Sequence, residues 1–402
     1  MKTLQNEGVR TAQSSSFRLN VVLAFFAFVL IGANDGAVGV LLPSLRTHYN
    51  VDNATVSLLF LASTIGYFIA SFNNGLLVEK LGHKRFLMLG AVLFLLSTAT
   101  LSFMPSFVVV LIVVLILGLG IAMLDAGLNS YIALLPNNTT LLNYLHAFYG
   151  MGAWLGPVVA STILVLNWEW NSVYMVWGGV SLLLLLGLGI IFRERTTAAQ
   201  RYLEKSEGNV LLTTLKLRVV WFAALFLLFY VGSEVSLGSW SYSLLTVDRH
   251  GATLISGWTV SGYWFGLTLG RLLLGSVARR IGDKRLIQLC LLGVVAGLLF
   301  VWLVPLPAVS AVGLFLTGFC LGPIFPTTIA LMSKLVSSRI LAGAVGFMAS
   351  LGSMGAALFP WLAGNLAQRV GLWSLLPYVI GLTAVMLCLW IALQGQSHSS
   401  QL

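Results

Sequence analysis

The apolar residues of this chain come in runs too long for a soluble core, and that feature limits it to one architecture. A bilayer core about 30 Å thick takes roughly 20 apolar residues per helical crossing. Lipid supplies no hydrogen bonds, so each such run must satisfy its own backbone, as a helix does. Charged residues make up only 8% of the 402, and hydrophobic types 58%. A soluble domain carries about 25% charged residues. So sparse a charge cannot coat a water-soluble surface of this size. Cytosolic enzymes, nucleic-acid binders and disordered chains are excluded. Twelve spans of roughly 24 residues would use about 288 residues, leaving only termini and short loops.

The runs place spans at 19–46, 54–78, 84–104, 107–134, 140–166, 170–192, 217–246, 253–278, 284–304, 308–334, 339–366 and 372–394. Turn-forming breaks separate them, such as Asn50 to Asn53, Pro105-Ser106, Pro136 to Asn138 and Asp248 to Gly251. The first run is too long for a signal-peptide core and reads as a spanning helix. Eighteen of the 22 Lys and Arg then fall on one side, in the N-terminal segment, 80–85, 193–218, 279–285 and at Lys334 and Arg339. Arg46, Arg249 and Arg369 fall on the other. Basic loops stay in the cytoplasm, so both termini are expected there, in a multi-pass protein of the cell (cytoplasmic or inner) membrane. The net charge of +10 has the same explanation. Cys290, Cys320 and Cys388 sit in apolar runs without nearby partners. They predict no disulfide, metal site or cysteine chemistry.

The chain also repeats itself. Gly75 to Arg85 (GLLVEKLGHKR) aligns with Gly275 to Arg285 (GSVARRIGDKR), 200 residues later. The same offset pairs Gly32 with Gly232, Gly66 with Gly266 and Gly118 with Gly318. Six spans separate the copies, so the halves share one orientation. The fold expected is an all-α membrane protein of two pseudo-symmetric six-helix halves, 1–192 and 217–402, joined by a cytoplasmic linker at 193–216.

The 75–85 loop resembles the G-x-L-a-D-r-x-G-r-k-r signature of the major facilitator superfamily, with Glu79 in the acidic place. His83 departs from its usual Arg, and Arg279 takes the acidic place in the second copy. Gly152-Ala153-Trp154-Leu155-Gly156-Pro157 is similar to that superfamily's G-x-x-x-G-P element. The resemblance implies a rocker-switch transporter, with its site between the halves near the membrane midplane. It makes Gly75, Glu79, Gly82, Lys84 and Arg85 a conformational latch. Arg271, expected near the cytoplasmic end of the eighth span, joins that group.

Nine of the twelve acids fit loops or helix ends; Asp35, Asp125 and Glu234 lie inside spans. A charge at the bilayer centre costs at least about 2.5–3.5 kcal/mol. Such acids must face a wet cavity or carry a proton, which makes them candidate proton carriers. No base is expected at their depth. Asn129, four residues after Asp125, shares its helical face. Asn34 neighbours Asp35. Residues 232–242 of the seventh span are rich in Ser, Gly and aromatics. In the tenth span, Gly322-Pro323-Ile324-Phe325-Pro326-Thr327-Thr328 carries two prolines that should break the helix.

An acid in the first span, an acid with Asn four residues on in the fourth, and a G-P-x-F-P-T run in the tenth resemble the fucose–galactose–glucose:proton symporter family. That likeness gives Asp35 and Asp125 proton coupling and sugar binding, with Asn129 beside them. Asn34, Glu234 and His146 are further substrate-binding candidates. Trp240, Trp258, Tyr263 and Trp264 are candidates to stack on a sugar's apolar face. Trp168, Trp170 and Trp373 suit the interfacial belt.

Three readings compete. One is a proton-coupled symporter of a small polar solute such as a sugar; another is a proton-driven efflux antiporter of drugs or amphiphiles. The third is a non-transporting receptor on the same fold, which has no dedicated domain here. The intramembrane acids and amides favour the first. No nucleotide loop, metal cluster or nucleophile constellation suggests an enzyme. No cofactor other than the coupling proton is expected, and no partner beyond the solute and the bilayer, for a monomer.

Overall fold

The computed structural model describes residues 2–135, 138–192 and 214–399. Its elements, among the described residues, are all helical: α1 (Lys2–Tyr49), α2 (Asn53–Val56), α3 (Leu58–Ser102), α4 (Phe107–Ala133), α5 (Asn138–Val165), α6 (Asn171–Ile190), α7 (Arg218–Ser243), α8 (Thr253–Ile281), α9 (Asp283–Leu303), α10 (Pro307–Leu321), α11 (Ile324–Leu335), α12 (Ser338–Arg369) and α13 (Leu375–Ser399). Most of the proposed linker, 193–213, and the break at Pro136-Asn137 lie outside the described residues.

Ten stretches among the described residues are long and apolar enough to cross a membrane. One of them, Asn53–Ser102, has 50 residues. Gly82 interrupts it with φ 75° and ψ 161°, a conformation that glycine tolerates and other residues resist. Gly66 packs on the Leu115 carbonyl and Gly90 on Met123 and Gly120, all within one stretch of α4. A straight helix would hold residues 66 and 90 about 36 Å apart. Hence α3 folds back at Gly82 and crosses twice, where the sequence divides it into two spans. The 29-residue α8 has the length for a further crossing, its apolarity diluted by Arg271 and several Gly, Ser and Thr. The arrangement is consistent with twelve crossings.

The two prolines of 322–328 act unequally. Pro323 separates α10 from α11, while Pro326 sits inside the first turn of α11. Gly322 and Pro323 both keep right-handed helical dihedrals. The Gly322 and Thr327 amides still donate to Gly318 and Pro323. The expected break is therefore a local interruption in one continuous rod. What the prolines lack is the amide that would reach the carbonyl four residues back.

Small residues fix the packing. A Cβ on Gly66 would lie 1.9 Å from the Leu115 carbonyl oxygen, and one on Gly266 2.4 Å from that of Phe315. A Cβ on Gly118 would meet the Ser63 oxygen at 2.0 Å, and one on Gly318 the Tyr263 oxygen at 2.1 Å. Both members of each contact recur 200 positions later. Such close backbone approach is how helices associate where lipid removes the hydrophobic drive. On the same principle α1 and α5 interlock through Gly32, Gly36, Gly152 and Gly156.

Contacts between the first six spans and the rest gather at one end of the bundle. Gly39 lies against the Gly238 and Ser239 backbone, Gly257 against Ser161, and Gly364 against Ser57 and the Asn53 carbonyl. The Asn53 amide donates to Gln368 Oε1 at 3.0 Å. Ser261 donates to the Trp154 carbonyl. The deepest contact is Gly150 on Thr268. Beyond it, toward the end carrying the 79–85 turn, the Tyr144 and His146 side chains are exposed.

Candidate functional site

Asp35 and Asp125 project into this space from α1 and α4, and each is held by a phenol from a neighbouring helix. Tyr149 of α5 donates to Asp35 Oδ2 at 3.0 Å. The Asn34 amide reaches Asp35 Oδ1 at 3.3 Å. Tyr67 of α3 donates to Asp125 Oδ2. Asn129, one turn along α4, donates to Asp125 Oδ1 at 2.8 Å and to its backbone carbonyl at 3.0 Å. The two carboxyls lie within electrostatic reach of each other, and His146 within reach of Asp125 and Arg271. His146 also stands edge-on to Phe28, ring centres 5.8 Å apart.

Glu234 faces this group from α7, and its partner is Arg271. Arg271 Nη2 lies 3.2 Å from Glu234 Oε1 and 3.4 Å from Oε2. This corrects one expectation: a base does lie at the depth of the acids, and Arg271, placed with the latch by the sequence, spends its guanidinium on Glu234. The guanidinium stem carries the charge inward from α8, and the Glu234 carboxylate compensates it. Tyr149 is the link between the halves: besides donating to Asp35, it lies within electrostatic reach of both Glu234 and Arg271.

Trp240 is a second correction. Its indole N–H donates to the Pro360 carbonyl at 2.9 Å, and the residue is 1% exposed. It packs α7 against α12 and offers no face to a solute. Tyr263 likewise spends its hydroxyl on the Glu234 carbonyl, at 2.9 Å. Trp258 is exposed. Trp264 is buried over Gly238, with an indole N–H that makes no hydrogen bond. Asn34 Oδ1, Arg271 Nε and the Tyr230 hydroxyl, within electrostatic reach of Glu234 and Arg271, are also buried without a close hydrogen-bond partner.

The residues expected to form the latch lie at the open end. Lys84 donates to the Gly189 carbonyl at 2.8 Å, near the C-terminus of α6, where the helix dipole favours a cation. Glu79 and Arg85 are exposed, and nothing lies within 4 Å of where a Gly75 Cβ would be. The ion pairs found among the described residues are Glu234–Arg271 and Asp283–Lys334, so Glu79 is in neither.

Sequence reasoning missed Tyr67 and Tyr149. Tyr149 sits three residues before Gly152 on α5, which packs on α1, and that spacing was the available signal.

The model of the Major Facilitator Superfamily matches residues 24–256 and, again, 222–401. The chain is 28% identical to "Bypass of stop codon protein 6" of Saccharomyces cerevisiae, over 88% of this chain and 78% of that protein. It is 25% identical to the glucose/mannose transporter GlcP of Bacillus subtilis, over 84% of this chain and 85% of that one. Among solved structures, a D-xylose-proton symporter superposes with a TM-score of 0.76 at 16% identity, covering 92% of this chain and 97% of that one. The nucleoside transporter NupG also gives 0.76, at 14% identity, covering 94% and 98%.

Proposed function

The chain belongs to the Major Facilitator Superfamily and is a membrane transporter rather than an enzyme; from that premise we propose that it is a proton-coupled symporter of a small polar solute, such as a sugar. The observation that carries the reading is the pair of intramembrane carboxyls, Asp35 and Asp125, each held by a phenol and set opposite Glu234–Arg271. A carboxyl in low dielectric is cheaper to bury neutral than charged. Loading a proton on Asp35 or Asp125 removes a charge that otherwise resists occlusion. Release restores that charge and favours reopening. The carboxylates outnumber Arg271, so the site repels anions and suits a neutral solute. The glucose/mannose transporter and the xylose–proton symporter among its relatives support a sugar.

The basic loops sit at the end where the halves part, and such loops face the cytoplasm. On that reading the structure is inward-open, and the transporter works as a monomer in the cytoplasmic membrane with both termini inside.

The test is uptake into proteoliposomes of a panel of radiolabelled sugars and nucleosides, with and without an inward proton gradient. Concentrative, gradient-driven uptake of one of them is expected. Asp35→Asn should abolish concentrative uptake while counterflow, which needs no net proton release, continues. Full concentrative uptake by Asp35→Asn and Asp125→Asn would leave these acids as helix–helix hydrogen-bond partners only. Solute-driven proton efflux, with amphiphilic cations as substrates, would favour the antiporter.

A further inference from the structure

A separate cavity of about 500 Å³ lies at the closed end of the bundle, lined by Asp248, Arg249, Trp302, Pro305, Trp373 and Leu376. All six belong to the second half, so this cavity is no part of the space between the halves. We propose that it binds the headgroup of a zwitterionic phospholipid.

The argument begins with Arg249. It follows the π-helical turn Leu244–Asp248 that ends the seventh span. Its guanidinium donates to Ser310 Oγ at 2.8 Å and to the Val301 carbonyl at 2.6 Å. These bonds clamp the cation between α9 and α10 and leave other guanidinium N–H groups uncommitted, since the fork carries five. Asp248, its neighbour in the chain, is exposed and within electrostatic reach of it. The two are not an ion pair within 4 Å, so cation and anion stand side by side on one wall.

The rest of the lining is aromatic and apolar. The Trp373 indole is fixed by its N–H on the Val370 carbonyl at 3.2 Å. Trp302 ends α9, and Pro305 and Leu376 complete the lining. Leu303 and Leu306, on either side of Pro305, are exposed large apolar residues at the rim. The cavity therefore combines charged and aromatic lining beside exposed apolar residues, at the level where span ends put Trp in the interface.

A free solute would not need the apolar exit. A phosphate alone would suit Arg249 but meet Asp248. A phosphoethanolamine or phosphocholine group answers both charges: phosphate to the guanidinium, ammonium to the carboxylate or over an indole face. Its glycerol and first methylenes would then follow Leu303 and Leu306. On the sidedness proposed above, this lipid belongs to the outer leaflet. The inference does not depend on what is transported.

Native mass spectrometry of the full-length protein, titrated with phosphatidylethanolamine, phosphatidylcholine and phosphatidylglycerol of matched chains, tests it. The wild type should retain a zwitterionic lipid about fivefold better than phosphatidylglycerol, the scale of one charged contact at a membrane surface. Asp248→Asn should erase that preference, and Trp373→Ala should weaken retention of all three. Arg249 is left intact because it ties the turn to α9 and α10. Hydrogen exchange at 246–250 supplies a second readout, with protection expected from the zwitterionic lipid and none from free glucose. Equal or better retention of phosphatidylglycerol by the wild type would overturn the proposal. So would an unchanged preference in Asp248→Asn, or protection by the sugar instead of the lipid.

Discussion

Glu234→Gln, Arg271→Gln and the double variant form a cycle whose outcome follows from the geometry of the pair. One guanidinium nitrogen lies 3.2 and 3.4 Å from the two carboxylate oxygens. At an effective dielectric of about 20, unit charges that close attract by roughly 5 kcal/mol. Desolvation offsets much of this, and removing one partner of a buried pair costs about 3–5 kcal/mol because the other charge is stranded. The Arg271 side chain is 28% accessible and that of Glu234 11%, so water recovers part of the loss. Discounted for that access, about 2–3 kcal/mol applies to each single change. Glu234→Gln is the milder if water reaches the orphaned cation. The double variant has no stranded charge and should recover to within about 1 kcal/mol of wild type. Equilibrium unfolding in detergent gives the three free energies, and the cycle should yield a coupling of about 3–6 kcal/mol. Additive effects, with coupling under about 0.5 kcal/mol, would show that the two charges are solvated independently and would remove the pair from the site.

Two further outcomes follow from the packing. Gly66→Ala and Gly118→Ala each drive a methyl against a backbone carbonyl and should each destabilise by more than about 2 kcal/mol, whereas Gly262→Ala and Gly381→Ala, which meet nothing within 4 Å, should be tolerated; thermal melts of the purified variants separate the two sets. Paired cysteines at Asn53 and Gln368, in a chain with Cys290, Cys320 and Cys388 replaced, should form a disulfide that halts uptake until reductant is added, since these residues already touch across the closed end.

The fold was legible because the bilayer leaves a chain so few choices. Length and apolarity mark crossings, and the 200-residue echo marks the halves. Gly82 shows how far this reaches: the sequence divides 54–104 into two spans, and the structure turns the chain back between them at that single glycine, φ 75°. The acids were legible too, because a carboxyl inside a span is conspicuous by its cost. Their partners were not. Tyr67 and Tyr149 are unremarkable in an apolar run, and only the approach of another helix turns a phenol into a carboxylate donor. Arg271 misled because the same cost argument pushes a lone base toward a helix end, and nothing local to α8 announces Glu234, 37 positions earlier. Trp240 misled in the opposite sense. The polar character of 232–242 describes the segment, but the direction of one indole is decided by the Pro360 carbonyl.

The seal at the closed end is made of Gly39, Gly257 and Gly364 pressed against backbone and small side chains of the facing half. Such a seal has few long side chains to withdraw, chiefly Gln368 on the Asn53 amide and Trp154 against Phe265. When it parts, few rotamers are released, and when it closes again few must be frozen, so ordering costs little in either direction. What remains to resist opening is the wetting of two flat, closely matched strips of main chain. That resistance is short-ranged, disappearing once the strips stand a water molecule's width apart. The door therefore behaves as a close contact fastened by a few hydrogen bonds, with its threshold crossed early in the motion and little hindrance afterwards. A bulkier residue at any of the three glycines would wedge it ajar.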